Sequence, residues 1–139
     1  MRNVRQTGQS VYIRFITREQ DEASHSLVDV FTHAYRLRDS DQLQPHEEET
    51  LGNALRWLQK NVTIPKLLKE PENERAICWF KSAAEKPLAN VWKIVHVLRE
   101  HDVQVEMIKT LNPGAIIYED GWQIAAKPHK ANRIRVAQR

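Results

Sequence analysis

The sequence predicts an α+β fold: a four-stranded antiparallel sheet, formed by an N-terminal strand and a C-terminal three-stranded meander, with helices packed on one face. Three observations predict it. Residues 103–126, VQVEMIKTLNPGAIIYEDGWQIAA, hold three short apolar runs separated by two turn signals. Residues 10–17, SVYIRFIT, alternate in polarity and are rich in β-branched and aromatic side chains. Between them, apolar residues recur at helical spacing, which places helices between a first strand and a closing set of strands.

The meander rests on side-chain alternation and turn chemistry. Strand side chains point to opposite faces with period two, so Val103, Val105 and Met107 share one face. Asn112-Pro113-Gly114 reads as a type II turn, because proline presets φ at the second position and glycine accepts positive φ at the third. Ala115–Tyr118 is the second run. Asp120-Gly121, between Glu119 and Trp122, reads as a two-residue type I′ turn, which needs positive φ at both central positions. Trp122–Ala126 is the third run, and Pro128 stops it.

In the N-terminal strand, Val11, Ile13 and Phe15 point one way and Tyr12, Arg14 and Ile16 the other. Arg18–Ser24 is a charged loop. Ser26 is the expected N-cap of a helix over 27–38, with Leu27, Phe31, Ala34 and Leu37 as its apolar stripe. Asp39-Ser40-Asp41 ends it. Pro45 fits the first turn of a second helix, and Glu47-Glu48-Glu49 sits where the helix dipole favours negative charge. Leu51, Ala54, Leu55 and Leu58 form its core stripe, with Trp57 at the edge. Residues 63–75, TIPKLLKEPENER, read as a long surface loop. Ala76–Phe80 fits a helix start or a short buried strand, and a helix over 76–84 is the favoured reading. Leu88, Val91, Trp92, Val95 and Leu98 mark a further helix from Glu85 to about His101, with Pro87 near its first turn.

At 139 residues the chain suits one domain, residues 1–126, followed by a tail, residues 127–139. The tail holds Lys127, Lys130, Arg133, Arg135 and Arg139 and no acid. Removing its +5 from the net +3 leaves −2 on residues 1–126. A basic tail suits nucleic acid or an acidic partner, and its alternative, the commoner case for so short a tail without an aromatic, is a solvated terminus that only aids solubility. No apolar run approaches the roughly 20 residues that span a membrane, so no membrane association is expected. The N-terminus lacks the apolar stretch of a secretory signal, and a cytoplasmic location is expected. The single cysteine, Cys78, excludes an internal disulfide and a Cys-rich zinc site. Asn61-Val62-Thr63 matches a glycosylation sequon, discounted without such a signal.

Candidate chemistry is sparse. His25, His33, His46, His96, His101 and His129 form no HExxH or HxH pattern and no Cys/His pair at ligand spacing, so no metal is expected. The four glycines form no phosphate-binding loop, and no cofactor is expected. Cys78, with Lys81 nearby and His96 or His101 in reach, is a candidate nucleophile, but its apolar neighbours favour inert core. Two polar clusters stand out. His33, Tyr35, Arg36 and Arg38, with Asp39, suit phosphate binding and acid–base work in a metal-independent nuclease. Their alternative is a solvated helix face with an Arg–Asp pair. Tyr118, Glu119 and Gln123, beside Asp120, suit a binding surface, and their alternative is turn and strand-end chemistry. Trp57 or Trp122 suits an interface, where tryptophan is enriched.

Tyr35-Arg36-Leu37-Arg38-Asp39-Ser40, Trp79-Phe80-Lys81, Pro113-Gly114, Tyr118-Glu119-Asp120 and Gln123 resemble a group of short uncharacterised bacterial proteins over roughly residues 10–128. The resemblance implies a bacterial or mobile-element origin and a single domain; it implies no activity and no site residues.

The resulting expectation is a small non-enzymatic binding or adaptor protein, its partner a protein, or nucleic acid reached through the basic tail. One alternative is a small metal-independent nuclease or other hydrolase using His33, Tyr35, Arg36 and Arg38. Another is an immunity or inhibitor protein using Glu47–Glu49 or the hairpin surface.

Overall fold

The computed structural model of the protein describes residues 10–20 and 27–129. Its elements run β1 (Tyr12–Gln20), β2 (Leu27–Asp29), α1 (Val30–Arg38), α2 (Pro45–Asn61), β3 (Ile77–Lys81), α3 (Glu85–Glu100), β4 (Val105–Thr110), β5 (Ala115–Glu119) and β6 (Gln123–Lys127). The class is α+β, as the sequence predicts. Among the described residues there are six strands where four were expected, and three α-helices where four were expected. The chain divides into two compact units.

The first unit takes the chain up to Arg14, then Ile64–Ala84, then Lys109 onward. Here β3 corrects the helix expected over 76–84. Tyr12 and Ile13 of β1 pair antiparallel with Lys81 and Phe80, and β3 pairs antiparallel with β6 from Ile77↔Ala126 to Phe80↔Gln123. With hydrogen-bonding partners on both edges, an apolar and aromatic run too short to show a period settles as strand. Trp79 and its register partner Ile124 are both buried.

The β5–β6 pairing forms the expected hairpin, but with a register shift between Ile116 and Tyr118. The bulge inserts one extra residue, so Ile116 follows Ala126 and Tyr118 follows Ala125 onto opposite faces. Gly114 has φ +111°, as the type II reading requires. A Cβ there would lie 2.1 Å from the Lys127 carbonyl oxygen, so backbone meets backbone at this point. The 63–75 loop has structure of its own: 3₁₀ turns at Lys66–Lys69 and Pro71–Asn73. The buried Asn73 side chain ties them together by donating to the Leu67 carbonyl at 2.9 Å.

The second unit comprises Phe15–Thr63 and Glu85–Ile108. In it β1 pairs antiparallel with β2, Ile16 opposite Asp29, and β4 pairs with β1. The three-stranded meander is therefore corrected to a two-stranded hairpin, because the first of its strands joins β1. Met107, expected on the same face as Val105, is exposed, while Val105 is buried. Phe15, Ile16 and Thr17 are all buried, which an alternating, half-solvated strand would not allow.

The helix expected from Leu27 starts at Val30, since Leu27 belongs to β2. Its N-cap is Asp29, whose Oδ1 accepts from Thr32 N at 2.9 Å; Ser26 lies outside the described residues. Val30, Ala34 and Leu37 form its buried stripe, while Phe31 is half-buried. Helix α2 buries Leu51, Ala54, Leu55 and Leu58 as expected. Helix α3 buries Val91, Ile94, Val95 and Leu98 and packs on α1 and α2. Each such aliphatic side chain contributes about 1.5–3 kcal/mol when fully removed from water. The Trp92 ring meets Phe15 of β1 edge-on, with centroids 5.0 Å apart.

Two polar devices finish this unit. Glu47 accepts the Gln44 backbone N–H at 2.9 Å and pairs with His101 Nε2 at 3.1 Å. One carboxylate thus closes the N-terminus of α2 and ties it to the end of α3. Helix α3 ends in a Schellman motif: Val103 N donates to Leu98 O and Asp102 N to Arg99 O. Asp102 occupies the left-handed position, with φ +66°, where glycine is usual.

Gly114→Ala is expected to lower stability by more than about 1 kcal/mol, since it adds both a left-handed strain and a backbone clash. Urea unfolding measures it: the midpoint should fall with an unchanged slope. An unchanged midpoint would show that the close approach is dispensable.

Candidate functional site

The β5–β6 hairpin gathers the densest polar arrangement of the first unit, and Asp120 organises it. Its Oδ1 accepts the backbone N–H groups of Trp122 at 2.9 Å and Gln123 at 3.0 Å. Its Oδ2 accepts the Tyr118 hydroxyl at 2.8 Å and Gln123 Nε2 at 3.2 Å. Asp120 N closes the turn onto Gln123 O at 3.0 Å. The expected type I′ turn is therefore corrected: neither Asp120 nor Gly121 has positive φ. A carboxylate that satisfies two successive N–H groups builds this turn, and glycine's left-handed freedom is not used.

The electrostatics follow from that bonding. Partial burial alone would raise the Asp120 pKa, but the donors from Trp122, Tyr118 and Gln123 outweigh it and hold the carboxyl below its ordinary range. The hydrogen bond to Asp120 makes the Tyr118 proton harder to lose, and desolvation adds to the effect. Tyr118 is therefore set as a donor. Gln123 is buried, with its amide turned to Asp120. Glu119 is exposed and forms an ion pair with Lys81 Nζ at 2.7 Å. Lys81 is the partner that sequence reasoning missed; only the β3–β6–β5 order brings it there, and no local pattern signals it.

Cys78 is exposed, which corrects the buried reading. It sits opposite Ala125, which in turn faces Tyr118 across the next ladder. Desolvation pushes its thiol pKa up, Arg14 pulls it down, and Asp120 pushes it up again; the balance is upward. Such a thiol is a poor source of thiolate.

The cluster on α1 divides. At 3.6 residues per turn, His33 and Arg36 lie within about 60° of each other around the helix, and Tyr35 and Arg38 form a second pair on nearly the opposite side. The Arg38 guanidinium lies 4.9 Å from the Tyr35 ring centroid, and its Nε donates to Asp39 Oδ1 at 3.2 Å. Of the acidic run in α2, Glu47 is buried in its bond to His101, and Glu48 and Glu49 are exposed. Of the basic tail, Lys127 closes β6 opposite Ala115, and Lys130, Arg133, Arg135 and Arg139 lie outside the described residues. Among the described residues, no three His, Cys, Asp or Glu side chains gather to hold a metal ion, and no helix is long and apolar enough to cross a membrane.

Comparison of the chain with protein-family models, curated proteins and solved structures finds no match.

Asp120→Ala is expected to cost about 1–2 kcal/mol, because it strips the acceptor from two turn N–H groups. A pH series checks the sign. A carboxyl held below its ordinary value stabilises the fold above that value, and the contribution is lost as pH falls through the lowered one. The difference between the protein and Asp120→Asn should therefore be full above pH 5 and shrink below about 3.8, the group's ordinary value. A difference that grows in acid would contradict the bonding described.

Proposed function

We propose that the protein is a small non-enzymatic binding or adaptor protein that engages an anionic partner, nucleic acid foremost, through the basic segment 127–139. The observation that carries this reading is charge. Five cations and no acid fall in the last 13 residues, against a net −2 in the other 126. The segment continues directly from β6, whose last backbone carbonyl lies against Gly114. A cationic strip starting from a fixed strand end suits phosphate contacts, which position a partner without reading its sequence.

A binding role accounts for the polar clusters better than hydrolysis does. Asp120 is saturated by turn donors, and Tyr118 and Gln123 spend their side chains on it. The four residues of the α1 cluster fall on two sides of their helix, whereas acid–base catalysis needs them around one reacting atom. Tyr118 and Glu119 at the hairpin are a second contact surface under this reading.

A gel shift with duplex DNA across a salt series tests the proposal. With all five cations engaged, log K should fall against log salt with a slope of roughly −4 to −5. Deleting residues 130–139, which leaves Lys127 in place, should reduce the shift to background. Absence of any shift at low salt would defeat the nucleic-acid reading, and a shift that survives the deletion would move the contact elsewhere.

A further inference from the structure

A second site lies at the end of α3. An open depression of about 540 Å³ is lined by Arg18 of β1, Arg99 and Asp102 at the close of α3, the 103–105 backbone, and Glu106 of β4. Its formal charges balance, with two guanidinium groups and two carboxylates. Arg18 Nη2 donates to Glu106 Oε2 at 3.1 Å. Arg99 Nη2 donates to the Val105 carbonyl at 3.0 Å, and its guanidinium lies 5.7 Å from the Trp92 ring centroid. A guanidinium carries five N–H donors, so each arginine keeps donors beyond these bonds.

Asp102 stands apart. Among the described residues no hydrogen bond or ion pair engages its carboxylate. Its location is locally unfavourable on two counts. The left-handed backbone at the end of a Schellman motif suits glycine, although aspartate tolerates it better than most residues. The C-terminus of a helix favours cations over carboxylates. A residue that breaks both preferences without a compensating contact points to a role outside folding.

We propose that this depression binds a small zwitterion of the amino-acid class. The ligand's carboxylate meets the free N–H groups of Arg18 and Arg99, and its ammonium group meets Asp102. The charge balance sets the class. A polyanion would face Asp102 and Glu106, and a simple cation would face two arginines. The volume falls in the range of small-ligand sites.

NMR titration of the full chain with glycine, lysine, arginine and glutamate, each to millimolar concentration, tests the proposal. At least one should give saturable shifts centred on the amides of Arg18 and residues 99–106. Capping that ligand's amino group or its carboxylate should weaken binding by at least about tenfold, as expected on loss of a charged hydrogen bond. Asp102→Gly separates the site from its fold. The variant should melt at a higher temperature, because the strain is relieved, and should lose binding by a similar factor; Asp102→Asn should lose it too. No saturable shift, an affinity unchanged in Asp102→Gly, or equal binding of inorganic phosphate or of a simple amine would each overturn the assignment.

Discussion

The first unit depends on β3 having partners along both of its edges. Ile77–Lys81 pairs with β1 on one side and β6 on the other. Remove it, and β6 with β5 is a two-stranded hairpin, marginal on its own in water. Its inner position also sets the chemistry on its faces. Lys81 can reach Glu119, and Cys78 can sit two ladders from Tyr118, because β6 lies between β3 and β5. The outer strand β5 pairs only with β6 among the described residues. Its bulge interrupts the flat ladder that an incoming strand would need, a common protection of sheet edges.

Most of the polar side chains that look functional are consumed by the fold. Asp120 makes a turn, Glu47 caps one helix and ties it to another, and Arg38 is divided between Tyr35 and Asp39. Two features are not absorbed in this way. One is the run of cations after β6, which the acidic remainder of the chain does not neutralise. The other is Asp102, whose backbone and helix position both favour another residue. Functional proposals start from such leftovers.

Much of the architecture was legible where periodicity is long. The stripe of α2 and the extent of α3, with Pro87 inside its first turn, were placed from spacing alone, although Ile94 and Val97 join the buried face of α3 and Leu88 and Trp92 are only half-buried. The β5–β6 hairpin was legible from its turn signal, although its turn is built by Asp120's carboxylate and not by glycine geometry. What could not be read depends on distant pairing. Ile77–Lys81 is a strand because β1 and β6 flank it, and β4 leaves the expected meander because β1 offers it an edge. Nothing within either segment encodes those partners. The start of α1 slipped for a local reason: Asp29 competes with Ser26 as a cap, and β2 claims Leu27. At the candidate site, Tyr118, Glu119 and Gln123 were recognised as one cluster, but Lys81 was not. The Arg18–Glu106 pair, 88 residues apart in sequence, also lay beyond any local pattern.

Because Asp120 carries the geometry of the hairpin, the residue beside it is released. Gly121 is exposed, has an ordinary φ, and has no atom near where a side chain would begin. The tip of the hairpin is therefore a place where identity and shape are uncoupled. A reporter group or a grafted recognition loop attached there would inherit a rigid base, and the carboxylate one residue earlier would keep the two strands in register beneath it.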